Sequence, residues 1–135
     1  MPSQPFEDLE VWKRSCRLAV FVYETLKNHS DFGMRDQMQR SIVSLASNIA
    51  EGSERSPRDF RRFLKIALGS SAELRTQTWI AAHVGIITEE QASHIVEETK
   101  HISRMLVGLS KSITKSLANT PKPTRKRPTQ PPDTP

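Results

Sequence analysis

Three groups of cations are the residues whose types and spacing most directly suggest chemistry. Lys100, Arg104, Lys111 and Lys115 recur at helical intervals and, at about 100° per residue, fall within about 60° of one another. Arg55, Arg58, Arg61, Arg62 and Lys65 form a second cluster, and Lys13, Arg14 and Arg17 a third. Guanidinium and ammonium groups arrayed along helices match surfaces that contact phosphates. The competing reading is a solvated face that neutralises itself through i,i+4 ion pairs, for instance around Glu54 and Asp59. Aromatic residues free to stack on bases are few, because Trp12 and Phe60 fall on apolar stripes and Trp79 reads as an interface residue. Recognition of a polynucleotide would therefore depend on backbone charge and shape.

Other chemistry finds less support. His94, Glu97, Glu98 and His101 share one side of a helix, and Glu98-x-x-His101 matches half of a di-metal bundle signature. The second Glu-x-x-His is missing, and both histidines precede core positions, so no metal site is expected. Ser70 and Ser71 lie near Glu73 and His83, but neither a strained nucleophile turn nor a glycine-rich oxyanion segment accompanies them. The run Gly69-Ser70-Ser71-Ala72 reads better as close helix packing. No phosphate-binding loop or dinucleotide fingerprint is present. The chain is expected to be no enzyme, with no cofactor and no small-molecule substrate. Asn48 and Glu51 lie one turn apart and lead into Gly52. They suit structural roles: Asn48 bonding across the core, and Glu51 paired with Arg40, Arg55 or Arg75.

The elements that must position these groups are helices, because apolar residues recur in steps of three and four and no strand alternation is sustained. The first predicted helix runs from about Asp8 to Asn28 with the stripe Leu9, Trp12, Cys16, Ala19, Tyr23, Leu26. The second runs from about Met34 to Glu51 with Met38, Ile42, Leu45, Ile49 and then Gly52. Ser56, Pro57 and Asp59 mark the start of the third. Its stripe is Phe60, Leu64, Ala67, Ser71, Leu74, Thr78, Ala81, and Gly85 is its stop. Thr88 and Gln91 form a capping box for the fourth, which carries Ile95, Thr99, Ile102, Leu106, Leu109, Ile113. Short connections favour antiparallel neighbours, so the expected fold is all-α, an up-down-up-down four-helix bundle.

The chain has 135 residues, which suits one domain, assigned to 1–118. The last 17 residues, 119–135, hold six of the nine prolines and no large apolar residue, so a disordered, basic tail is expected. Net charge is +5, of which +3 falls in that tail, so charge placement matters more than the total. Cys16 is the single cysteine, which excludes an internal disulfide and fits a reducing, cytoplasmic setting. No membrane-length apolar run and no secretory leader pattern occur. A second apolar set in the first helix, Val11, Leu18, Phe21 and Val22, and Leu68, Ala72 and Trp79 in the third predict burial against further copies.

Several segments carry a resemblance. They are Phe6-Glu7-Asp8-Leu9-x-Val11-Trp12, Asp36-Gln37-Met38-Gln39-Arg40-Ser41 and Ser44-x-x-Ser47-Asn48-Ile49-Ala50-Glu51-Gly52. Phe60-x-x-Phe63-Leu64-x-Ile66-Ala67-x-Gly69-Ser70-x-Ala72-Glu73-Leu74 and Arg104-Met105-Leu106-x-Gly108-Leu109 follow. Across about residues 6–115 the chain resembles the bacterial four-helix bundle proteins named after intervening sequences of large-subunit rRNA. It departs from them in its tail and at Met38 and Gln39, where an aliphatic residue and an arginine are usual. The resemblance implies a bundle that assembles into a ring, a pentamer, with a basic surface. It is similar to the accessory protein of diversity-generating retroelements, which binds nucleic acid and a reverse transcriptase. The expected function is non-enzymatic, oligomeric binding of structured RNA or DNA through Arg58, Arg61, Arg62, Lys65, Lys100, Arg104, Lys111 and Lys115. The alternative is a protein-interaction scaffold or an accessory subunit for a reverse transcriptase. Asn48, Glu51, Gly52 and Glu73 carry over as pattern positions with no catalytic role.

Overall fold

A computed structural model describes residues 5–119. A 3-10 turn, Phe6–Asp8, leads into α1 (Glu10–Leu26), α2 (Phe32–Ser53), α3 (Pro57–His83) and α4 (Glu89–Asn119). The starts follow the capping residues. Ser56 Oγ accepts from the Asp59 amide (3.2 Å), with Pro57 in the first helical turn. Thr88 and Gln91 close a reciprocal box at 2.9 and 3.1 Å. Asp31 caps α2 by accepting from the Met34 amide (3.0 Å), which starts this helix two residues before Met34. Asn28 and Gly85 turn the chain in the left-handed region, at φ 72° and 80°. At 31 residues, α4 is about 46 Å long and extends through Asn119, the residue at which the tail was expected to begin. The rest of that tail, 120–135, lies outside the described residues.

Each helix contacts its neighbours in sequence, and α1 closes the ring on α4. Contacts run in opposite senses along each pair. Gly52 meets Phe63 and Ser44 meets Ser70 between α2 and α3. Arg61 meets Thr114 and Ser71 meets Ser103 between α3 and α4. Arg14 meets Glu98 and Phe21 meets His94 between α1 and α4. These are the contacts of antiparallel neighbours.

The core combines Leu18, Val22 and Leu26 with Met38, Ile42, Leu45 and Ile49 from α2. Leu64, Ala67, Leu74 and Ala81 from α3 and Ile95, Ile102 and Leu106 from α4 complete it. Small hydroxyls line the α3 seams without stranding a polar group. Ser44 and Ser70 share a hydrogen bond (3.0 Å), Ser71 bonds Ser103 (2.8 Å), and Thr78 donates to the Leu74 carbonyl (2.6 Å). Ser70 and Ser71 thus serve close packing, whereas Gly69 and Ala72 beside them are exposed.

In α1 the expected stripe is corrected. The buried line is Val11, Ser15, Leu18, Val22, Leu26. Leu9, Trp12 and Ala19 flank it half-buried, and Tyr23 is exposed. The supposed outward set Val11, Leu18 and Val22 is therefore core, and Phe21 and Leu68 pack against it. Ser15 hides the pattern: its hydroxyl donates to the Val11 carbonyl (2.7 Å), which lets a polar residue occupy a fully buried site. Of the large residues expected to face another copy, Trp79 alone stays largely exposed, at 62%.

Candidate functional site

The cap at Ser56 places Arg58, Arg61, Arg62 and Lys65 in the opening turns of α3. The antiparallel register sets the C-terminal third of α4 beside them. These four side chains line a groove of about 420 Å³ together with Ser110 and Thr114. Lys111 and Lys115, each next in sequence to one of those hydroxyl residues, are exposed. Arg61 Nη1 donates to Thr114 Oγ1 (3.1 Å), and that hydroxyl in turn donates to the Ser110 carbonyl (2.9 Å). Arg61 Nε is shielded from solvent and has no hydrogen-bond partner.

Glu7, Asp8, Glu10, Glu51, Glu54 and Asp59 share this end of the bundle, but none of them lines the groove. Arg62 lies 4.0 Å from Asp59, with its guanidinium over the Phe63 ring at 5.3 Å. Arg55 pairs with Glu51 at 3.0 Å and is the neutralised member of its cluster. Among the described residues, Arg58, Arg61, Lys65, Lys100, Arg104, Lys111 and Lys115 have no carboxylate within ion-pair distance. Local pairing therefore neutralises Arg55 and reaches Arg62, and leaves the other cations of the groove without an ion pair.

The structure divides the α4 row. Lys100 and Arg104 line a separate groove of about 350 Å³ with Arg14, Glu97, Glu98 and His101, on the α1 side. Here charge is mixed. Arg14 grips Glu98 through Nε–Oε2 (2.8 Å) and Nη2–Oε1 (3.0 Å), a bidentate bridge across residues distant in sequence. Arg17 pairs with Glu10 at 2.8 Å. The α1 cation cluster is thus largely engaged within the chain.

The Arg14 hydrogen bonds hold the Glu98 carboxyl below its ordinary 4.5, against burial, which pushes it up. A carboxylate depressed in the folded state contributes stability above its unfolded value and loses it as pH falls through the folded one. Glu98→Gln is therefore expected to destabilise the bundle by about 1 kcal/mol at neutral pH. That corresponds to a fall of roughly 4 °C in Tm. The difference should shrink as pH falls through and below the ordinary carboxylate range, which thermal unfolding followed by circular dichroism across an acid pH series will check.

The remaining candidates have structural surroundings. Asn48 Nδ2 donates to the Ser44 carbonyl (2.7 Å) and to Ser44 Oγ (3.1 Å). It reaches α3 only through the Ser44–Ser70 bond, so the expected direct bond across the core is replaced by a relay. Gly52 is buried against Phe60 and Phe63, and Glu73 is exposed. Glu98 is committed to Arg14, and His94 packs its ring on Phe21 at 4.4 Å. No group of three or more His, Cys, Asp or Glu comes together among the described residues. Burial raises the Cys16 thiol pKa, away from reactive thiolate.

Sequence spacing marked the cations but not their hydroxyl partners, since Ser110 and Thr114 lack a periodic signature. At the opposite end of the α3–α4 face it marked Trp79 as an interface residue but not the groove around it. There Trp79 stacks on His83 at 3.8 Å, and His83 Nδ1 donates to the Trp79 carbonyl (2.7 Å). With Ala82, Glu89, Ala92, Ser93 and Val96 they line a largely apolar groove of about 480 Å³. Among the described residues, no helix is long and apolar enough to cross a membrane.

Comparison with known proteins places this arrangement. The sequence model of a family described as 23S rRNA-intervening sequence protein matches residues 7–108. A crystal structure from Bacteroides thetaiotaomicron, described as a protein with unknown function from the S23 ribosomal protein family, is similar with a TM-score of 0.70. It shares 30% identity, over 75% of this chain and 98% of that one. No curated protein sequence matches.

Proposed function

The chain belongs to the 23S rRNA-intervening sequence protein family, and within it we propose a non-enzymatic, cytoplasmic binder of structured RNA that acts as an oligomer. The observation that supports this is the convergence of Arg58, Arg61, Arg62 and Lys65 on one groove, extended by Lys111 and Lys115, with almost no neutralising carboxylate. Clustered cations repel one another, and a phosphate backbone relieves that repulsion and releases its own condensed counterions on binding. Lys100 and Arg104, in their separate groove of mixed charge, would add a second and weaker contact. A ring of copies, a pentamer by the family resemblance, would repeat the groove and sum its field. Trp79, Ile80 and Val84, exposed at the other end, offer an apolar surface for such contacts.

The test is fluorescence anisotropy of a structured RNA hairpin against the full chain, with sedimentation to count copies. With about five phosphate contacts, affinity should fall on the order of 100-fold or more between about 50 and 200 mM salt. Affinity that stays flat over that range, or a particle that sediments as a single copy, counts against the proposal.

The Trp79–Val96 groove favours a second reading, a scaffold for a protein such as a reverse transcriptase. Burial of apolar surface is little screened by ions, so that complex should persist at about 0.5 M salt. On this reading Trp79 faces the partner and not another copy, so Trp79→Ser should abolish the complex while sedimentation is unchanged and RNA affinity stays within about two-fold.

A further inference from the structure

We infer that the groove between the start of α3 and the end of α4 is a built seat for one phosphate group, with Arg61 as its anchor held in place by Thr114. The inference rests on the nucleic-acid reading but claims more than diffuse attraction. Attraction alone requires only cations near a surface, with side chains that move freely. Arg61 is held instead. Its Nη1 is pinned to Thr114 Oγ1 at 3.1 Å, and the Thr114 hydroxyl is oriented by its own donation to the Ser110 carbonyl at 2.9 Å.

This relay supplies no charge to the guanidinium. A stabilising partner for a half-buried arginine is ordinarily a carboxylate, as Glu98 is for Arg14. Arg61 has a neutral hydroxyl, an Nε with no partner, and Arg58, Arg62 and Lys65 around the same groove. With Nε shielded from solvent, the N–H groups of Nη1 and Nη2 not spent on Thr114 are left to donate in parallel to a phosphate dianion or a phosphodiester. The flanking cations then close on the remaining oxygens. The shared chemistry is a phosphate group, from either the interior of a polynucleotide or a free or terminal phosphate.

Two variants preserve net charge and so separate a seat from a field. Thr114→Val removes the hydroxyl and keeps the shape, and Arg61→Lys keeps the charge and removes the fork. Each is expected to lower affinity for the RNA hairpin about ten-fold at constant salt. Lys115→Gln, which removes one cation beside the groove, should lower it only about two- to three-fold. In parallel, inorganic phosphate is titrated into the full native chain while the Arg61 Nε–H resonance is followed by NMR. A saturable shift that Thr114→Val abolishes identifies a seat open to free phosphate. An RNA effect without that shift identifies an interior phosphodiester. If both variants bind RNA like the native chain and the resonance does not respond to phosphate, there is no seat. RNA binding by those same variants would then leave the broader nucleic-acid reading standing.

Discussion

Replacing Arg58, Arg61, Lys65 and Lys111 together by glutamate is expected to lower affinity for structured RNA more than about 100-fold at about 0.1 M salt. It should also reduce the slope of log affinity against log salt by about 0.9 for each phosphate that is no longer neutralised. The argument is geometric. Three of these residues line one groove, Lys111 adjoins its Ser110 edge, and none has a carboxylate partner among the described residues. Reversal therefore breaks no internal ion pair, and the bundle should keep its helicity. A variant with Lys13, Arg17, Lys27 and Arg40 changed to glutamate carries the same net charge change on exposed positions of α1, its C-cap and α2. At that ionic strength the screening length is about 10 Å, so affinity in the control should fall by less than about ten-fold. Equal reductions in the two variants would show that total charge governs binding and that the groove does not.

How much of this was legible in the sequence depends on the range of the interaction that decides each residue. Capping is local, and Ser56, Thr88 and Gln91 cap where their spacing placed them. The α2 stripe of Met38, Ile42, Leu45 and Ile49 is likewise buried as its spacing implied. The first helix misled because two apolar lines compete there. Leu9, Trp12, Cys16, Ala19 and Tyr23 keep a regular three–four rhythm, but the buried line passes through Ser15, whose polarity is masked by a backbone bond. The exposed Tyr23 supplied the false regularity. Cation rows were visible, but which cations share a groove depends on the register between α3 and α4. That register joins Arg61 to Thr114, 53 positions apart. The Arg14–Glu98 bridge spans 84 positions and was equally hidden from local spacing. Asn48 was recognisable as a specific polar group, yet its partner is Ser44 on its own helix.

Gly52→Ala is expected to destabilise the bundle by about 2 kcal/mol, a fall of roughly 8 °C in Tm, although alanine is the better helix former. A Cβ at this position would lie 2.6 Å from Phe63 Cβ and 2.9 Å from Phe60 Cδ1. The Phe60 contact is with the edge of a ring, which can rotate away. The Phe63 contact is with an atom fixed to the α3 backbone, so relief requires α2 and α3 to separate. Separation is opposed nearby by the Ser44–Ser70 bond and by the short turn between Ser53 and Pro57. The gain in helix propensity, at most about 1 kcal/mol, is reduced because Gly52 lies one residue from the end of α2. Gly69→Ala gives the contrast: nothing lies within 4 Å of its would-be Cβ, so the same change mid-helix should stabilise by about 0.5–1 kcal/mol. Phe63→Ala sharpens the test, because alanine retains the obstructing Cβ. Gly52→Ala should cost nearly as much in that background as in the native chain, as a double-mutant cycle of urea unfolding would measure. If the cost disappears there, the phenyl ring is the constraint. If Gly52→Ala stabilises the native chain, glycine is not required where α2 meets α3, and its place in the Asn-Ile-Ala-Glu-Gly pattern has another cause.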